Sequence, residues 1–149
     1  MRGDHLTELP DILHTTTLRV RYADTDQMGV VYYATYLVYF ESGRTELLRA
    51  CGIPYSELEA QGYRLPVLEA HIHYHAPAHY DEVLVVQTRY RPRYAPTLCL
   101  EYEIRRRGEL IVTGSTTHVF MDARTWRPVR PPAIFWEAIR HYALCRERS

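Results

Sequence analysis

The densest polar run in this 149-residue chain is Asp24-Thr25-Asp26-Gln27, set just ahead of an apolar stretch with helical spacing. Two carboxylates on a loop aimed at a helix N-terminus suggest a hydrolytic arrangement. The free N–H groups and the dipole of that helix end favour developing negative charge. A carboxylate beside such a small oxyanion-binding site has what a hydrolase needs. The same side chains could instead only support the turn or cap the helix.

Other candidates carry less. His71, His73 and His75 share one face of a predicted strand, and His79 follows. Ligands on one straight strand lie ~6.5–7 Å apart by residue rise, too far for one ion without a bend. A solvated or interface face is the reading, and no metal is expected. Ser42 and Ser115 lack a G-x-S-x-G elbow, so a serine hydrolase is not indicated. His118 lies inside a predicted strand and reads as structural. Cys51, Cys99 and Cys145 are far apart and form no C-x-x-C pair, which argues against a disulfide framework and for a reducing cytoplasm. No G-x-G-x-x-G or P-loop string occurs.

The elements that must position Asp24 and Asp26 are legible from pattern. Thr15–Tyr22 is β-branched and aromatic and predicts a strand. After the ADTDQMG break, residues 33–50 predict a long helix, closed by Gly52 and Pro54. Its start, VVYYATYLVYF, is too apolar for a one-sided surface helix, so it should be covered on more than one side. A short helix over 55–61 follows. The period then changes to two, with strands around 68–75, 82–90, 98–105 and 110–121. Their short connections predict an antiparallel meander. A Pro-rich turn over 122–132 and a helix over 133–146 complete the chain. This order fits an α+β fold in which a curved antiparallel sheet wraps one long central helix, with a C-terminal helix added. Residues 1–14 read as a flexible tail and 15–149 as a single domain.

Composition sets the outer bounds. Lys+Arg and Asp+Glu are 18 each, so no global field favours nucleic acid. No apolar run approaches the ~20 residues of a membrane span, and the N-terminus lacks a signal-peptide core. All the basic residues are Arg, with no Lys and no Asn, as a GC-rich genome would give. The 13 Tyr suit half-buried surfaces such as subunit interfaces.

The stretch Arg19–Arg49, RVRYADTDQMGVVYYATYLVYFESGRTELLR, resembles the signature of the hot-dog-fold thioesterases. Within them it is most similar to the 4-hydroxybenzoyl-CoA thioesterase and YbgC-like acyl-CoA thioesterase group. The core string T-D-x-x-G-V-V-x-x-A-x-Y spans Thr25–Tyr36. P-A-x-Y-D-E-V-L-V-V-Q-T (Pro77–Thr88), T-x-H-V-F-M-D (Thr116–Asp122) and R-P-V-R-P-P (Arg127–Pro132) follow in the family's order. The resemblance covers nearly the whole chain after residue 15.

The resemblance implies an acyl-CoA thioesterase with Asp26 as the catalytic carboxylate and Asp24 as its less critical neighbour. It implies that the Tyr33 backbone N–H polarises the thioester carbonyl, that Glu41 is an acidic helix position near the site, and that Gly29 and Val30 contact substrate. Many YbgC-like members have His where Tyr33 stands and Asn where Thr35 stands; the hydroxybenzoyl-CoA enzymes have an aromatic at the former. Coenzyme A would be part of the substrate, with no separate cofactor and with acyl carrier protein as another donor. Its phosphates could be held by Arg89, Arg91 and Arg93, or by the run Arg105-Arg106-Arg107. The family forms dimers, commonly paired into tetramers, with the sites at the dimer interface. Rival readings are a hydratase or dehydratase on the same fold and a non-catalytic acyl-CoA or acyl-carrier-protein binding module.

Overall fold

The computed structural model describes residues 9–93 and 95–148. Strand β1 (Ile12–Arg19) leads through a 3-10 turn (Tyr22–Asp24) and a tight loop into helix α1 (Thr35–Ala50). Helix α2 (Tyr55–Ala60) and the two-residue strand β2 (Tyr63–Arg64) come next. Strands β3 (Val67–Tyr74), β4 (Val83–Tyr90), β5 (Thr97–Arg106) and β6 (Glu109–Asp122) then run in succession. Strand β7 (Pro128–Val129) and helix α3 (Ala133–Arg148) finish the chain. The strand path is β1-β4-β5-β6, and β2, β3 and β7 also pair with β6, all antiparallel.

Alternation along the strands decides where the helix lies. In β4, Leu84, Val86, Thr88 and Tyr90 are buried while Val83 and Val85, alternating with them, are exposed. In β5, Leu98, Leu100, Tyr102 and Ile104 are buried. Helix α1 packs on this inner face with Tyr36, Tyr39, Phe40, Gly43, Leu47 and Leu48. Two glycines allow the close approach. A Cβ on Gly43 would meet the Thr88 Oγ1 at 2.4 Å, and one on Gly114 would meet the Phe40 ring at 2.5 Å. The Phe40 ring stacks on Tyr102 at 4.3 Å between centroids. Helix α3 closes one end of the core through Phe135, Ile139 and Ala143.

The antiparallel sheet on one long helix is as expected, with local differences. Strand β1 begins at Ile12, so three residues read as tail are strand; residues 1–8 of the expected tail lie outside the described residues. Helix α1 begins at Thr35 rather than Tyr33, because the Leu37 N–H donates to the Ala34 carbonyl and the Tyr33 carbonyl accepts the Tyr74 hydroxyl instead. The Pro-rich turn contains β7. Among the described residues α1 is covered on one side only, against the expectation of cover on more than one, and Leu37 and Val38 face outward. Among the described residues, no helix is long and apolar enough to cross a membrane.

Candidate active site

The chain leaves β1 and folds back on itself around Asp24. This carboxylate is 4% exposed. It accepts the Arg21 N–H at 3.0 Å, the Arg21 guanidinium at 2.8 Å and the Tyr39 hydroxyl at 2.9 Å. Its backbone carbonyl accepts the Tyr32 N–H at 2.9 Å. Burial alone would raise the Asp24 carboxyl, but Arg21 and the Tyr39 hydroxyl hold it below the usual carboxylate range. Burial, then Asp24 itself, push the Tyr39 phenol far up in turn. Asp24 therefore closes the turn that follows β1 through Arg21 and pins it to α1 through Tyr39.

Asp26 opens a small hairpin. Its N–H donates to the Val30 carbonyl at 2.9 Å, and its own carbonyl accepts the Gly29 N–H at 3.0 Å. Gly29 takes a φ of 83°, which a side chain would strain. Thr25 bridges Val31 and Val30 bridges His79. The Asp26 carboxylate is half-buried, and its Oδ1 accepts the Met28 N–H at 2.8 Å. Among the described residues no hydrogen bond occupies its Oδ2.

The hairpin returns the chain to the start of α1. Ala34 takes the N-cap position without a side-chain cap. Among the described residues the Tyr33 N–H makes no backbone hydrogen bond, while the Tyr33 carbonyl accepts the Tyr74 hydroxyl at 2.9 Å. An uncapped helix start and a spare N–H are what an oxyanion needs. Met28, whose N–H reaches Asp26, and Tyr33 and Tyr74, which meet at the helix start, are exposed apolar side chains here.

The structure does not bring every expected residue here. Gly29 and Val30 lie in the hairpin itself. Glu41 is exposed on α1 and lines a separate cavity of about 170 Å³ with Arg44, Leu48, Tyr55 and Leu65. Arg89 is on the sheet face opposite α1, and Arg89 and Arg91 lie 3.9 and 3.5 Å from Asp11. Arg91 also lies 3.5 Å from Glu101. Arg93 follows them in an exposed loop. None of the three reaches the Asp26 hairpin within one protomer. Arg105 pairs with Glu103, Arg106 with Glu82 and Glu109, and Arg107 sits in the β5–β6 turn beside Gly108.

His71, His73 and His75 are exposed, as read from sequence. The His73 and His75 rings come to 4.5 Å between centroids, closer than residue rise implies, because the side chains lean together. Among the described residues no group of three possible ligands could hold a metal ion. His118 is fully buried and lies within hydrogen-bond distance of the Leu65 carbonyl and Thr116 Oγ1. Burial pushes it down to about 4. It stays neutral and structural. Sequence reasoning missed Tyr39 and Arg21; Tyr39 holds Asp24 from 15 residues away, which no local pattern displays.

Residues 20–139 match the model of the thioesterase-like superfamily. The chain belongs to this superfamily. YneP of Bacillus subtilis is 39% identical over 76% of this chain and 83% of its own. The acyl-CoA thioesterase YbgC of Haemophilus influenzae is 32% identical over 83% of this chain and 92% of its own. The crystal structure of a DHNA-CoA thioesterase from Staphylococcus aureus superposes with a TM-score of 0.82 at 31% identity, covering 92% of this chain and 95% of that one. As a superfamily member the chain has the hot-dog fold, an α+β architecture with the sheet curved around α1.

Proposed function

We propose that this superfamily member hydrolyses acyl-CoA thioesters to the free acid and coenzyme A, with Asp26 as the reacting carboxylate and the Tyr33 N–H as oxyanion donor. The observation that carries the reading is the half-tethered Asp26. Met28 fixes one carboxylate oxygen and leaves the other for chemistry, beside an uncapped helix start. A thioester suits this modest equipment, because its leaving thiol has a pKa of about 8.5 and departs as thiolate without a strong general acid. Asp26 either adds to the carbonyl carbon, expels thiolate and leaves a mixed anhydride that water cleaves, or takes a proton from water whose oxygen adds instead. In both routes the tetrahedral oxyanion collapses as the C–S bond breaks. Neither route calls for a redox group or metal.

The site reads as one half of an assembly. Among the described residues strand β3 pairs with β6 alone, which leaves its other edge free. Both its faces are largely exposed, including Val67, Leu68 and Tyr74. An edge of this kind is an open template for another strand. A second copy paired there covers it and the exposed apolar side chains at the Asp26 hairpin, and a dimer of such dimers is the expected particle. Coenzyme A enters as substrate, and acyl carrier protein is the other donor to test.

The test is product identity over a panel of acetyl-, hexanoyl-, palmitoyl- and benzoyl-CoA. Free thiol and free acid in equal amounts are expected from at least one. Hydration without thiol release would make the protein a hydratase, and binding without turnover would make it a binding module.

A further inference from the structure

Residues 77–82 form a bend that contacts both the chain leaving β1 and the returning limb of the Asp26 hairpin. The carbonyl of the fully buried Ala78 accepts the Val31 N–H at 2.8 Å. His79 bridges Val30. These two contacts hold the returning limb of the Asp26 hairpin. The Ala78 backbone also faces the Tyr36 hydroxyl, in the first turn of α1. The Asp81 N–H donates to the Val20 carbonyl and the Val20 N–H to the Glu82 carbonyl, both at 2.9 Å, which holds the limb leaving β1. The bend is the joint between hairpin and helix start.

Such a bend does not keep its shape unaided. Asp81 has a φ of 71°, a conformation that residues other than glycine seldom adopt. Arg106, at the end of β5, supplies the brace. Its Nη1 donates to the Pro77 carbonyl at 3.0 Å and to Glu82 Oε1 at 2.8 Å. The same Glu82 oxygen accepts the His79 N–H at 2.5 Å. One guanidinium nitrogen and one carboxylate oxygen thus tie positions 77, 79 and 82 together. Both side chains are mostly screened from water, at 20% and 29% exposure, so their pairing is stronger than that of an open surface pair. The other Arg106 nitrogen anchors the brace to Glu109 on β6.

We propose that Arg106 and Glu82 are positioning residues for catalysis: they clamp the 77–82 bend, and the bend sets the Asp26 hairpin against the start of α1. The proposal rests on Asp26 being the reacting carboxylate. Neither residue touches the reacting atoms.

Steady-state kinetics on the best substrate of the acyl-CoA panel test it. Arg106→Met is expected to lower kcat about 10- to 100-fold, the scale of small misplacements, with KM within about threefold of wild type. Arg106→Lys is expected to recover most of the loss, because one nitrogen makes both contacts to the bend. In an Asp26→Asn background, Arg106→Met is expected to cost nothing more. An unchanged kcat in Arg106→Met, or losses that multiply in the double variant, would overturn the proposal. If Arg106→Met does not fold, Glu82→Gln is expected to show the same split, and wild-type kcat in that variant overturns it equally. Hydrogen exchange separates the clamp from the chemistry. The Val31 amide is expected to lose protection in Arg106→Met while the Val86 amide keeps it; unchanged Val31 protection would show that no clamp exists. Absence of thiol release by wild type from every substrate would instead sink the Asp26 reading.

Discussion

Asp24 and Asp26 are two residues apart, yet only Asp26 has a carboxylate oxygen left for chemistry. Both were legible as candidates from residue type and position. Their division of labour followed only from the family resemblance and not from residue type or spacing, because it depends on the buried Tyr39 hydroxyl reaching Asp24 from within α1. His118 shows the same limit: its strand position marked it as structural, but its burial depends on packing from Leu65 and Thr116. It also gives a pH signature. Its folded-state value of about 4 lies below the ordinary 6.5, so the unfolded chain takes up the proton first. Its contribution is full above pH 6.5 and is lost as pH falls toward 4, at about 3 kcal/mol in total. Urea unfolding at pH 7 and pH 4.5 should show this loss in wild type and a flatter profile in His118→Gln. Equal slopes in the two proteins would contradict it.

At the scale of elements, period carried the reading wherever an element was long enough to have one. Strands β3–β6 and helix α1 fall where alternation and helical spacing put them. Strands β2 and β7 did not show, because two residues have no period and these exist only through pairing with β6. The start of α1 was placed two residues early, because Tyr33 and Ala34 suit a helix in type but form the turn ahead of it, where the Tyr33 carbonyl accepts the Tyr74 hydroxyl. Gly43 shows what packing adds. Its place in an apolar helix gave no hint that β4 passes directly beneath it. Gly43→Ala drives a methyl into Thr88 and Val86, and overpacking of this kind costs about 1–3 kcal/mol despite the better helix propensity of Ala. A fall of roughly 3–10 °C in the thermal midpoint is expected. A rise would mean that the helix lifts freely from the sheet.

At the scale of the molecule, one protomer leaves its own logic open. The helix start was expected to be covered on more than one side, but within this chain it is covered on one side only, with Leu37 and Val38 facing out. Strand β3 has a free edge and exposed apolar residues on the same chain. Leu68→Asp tests whether a second copy covers them. Leu68 is exposed in the protomer, so the change leaves the fold intact. Sedimentation should show wild type as a dimer or tetramer and the variant shifted to smaller species; a monomeric wild type would contradict the assembly. Arg89 and Arg91 belong to this scale as well, since their pairing with Asp11 and Glu101 keeps them from the Asp26 hairpin of their own protomer. The most direct measurement remains thiol release by Asp26→Asn beside wild type, on the best acyl-CoA, with thermal unfolding confirming that both are folded. The account expects kcat to fall about 100-fold or more, the usual scale for removing a catalytic carboxylate. A folded Asp26→Asn protein that keeps wild-type kcat would contradict it.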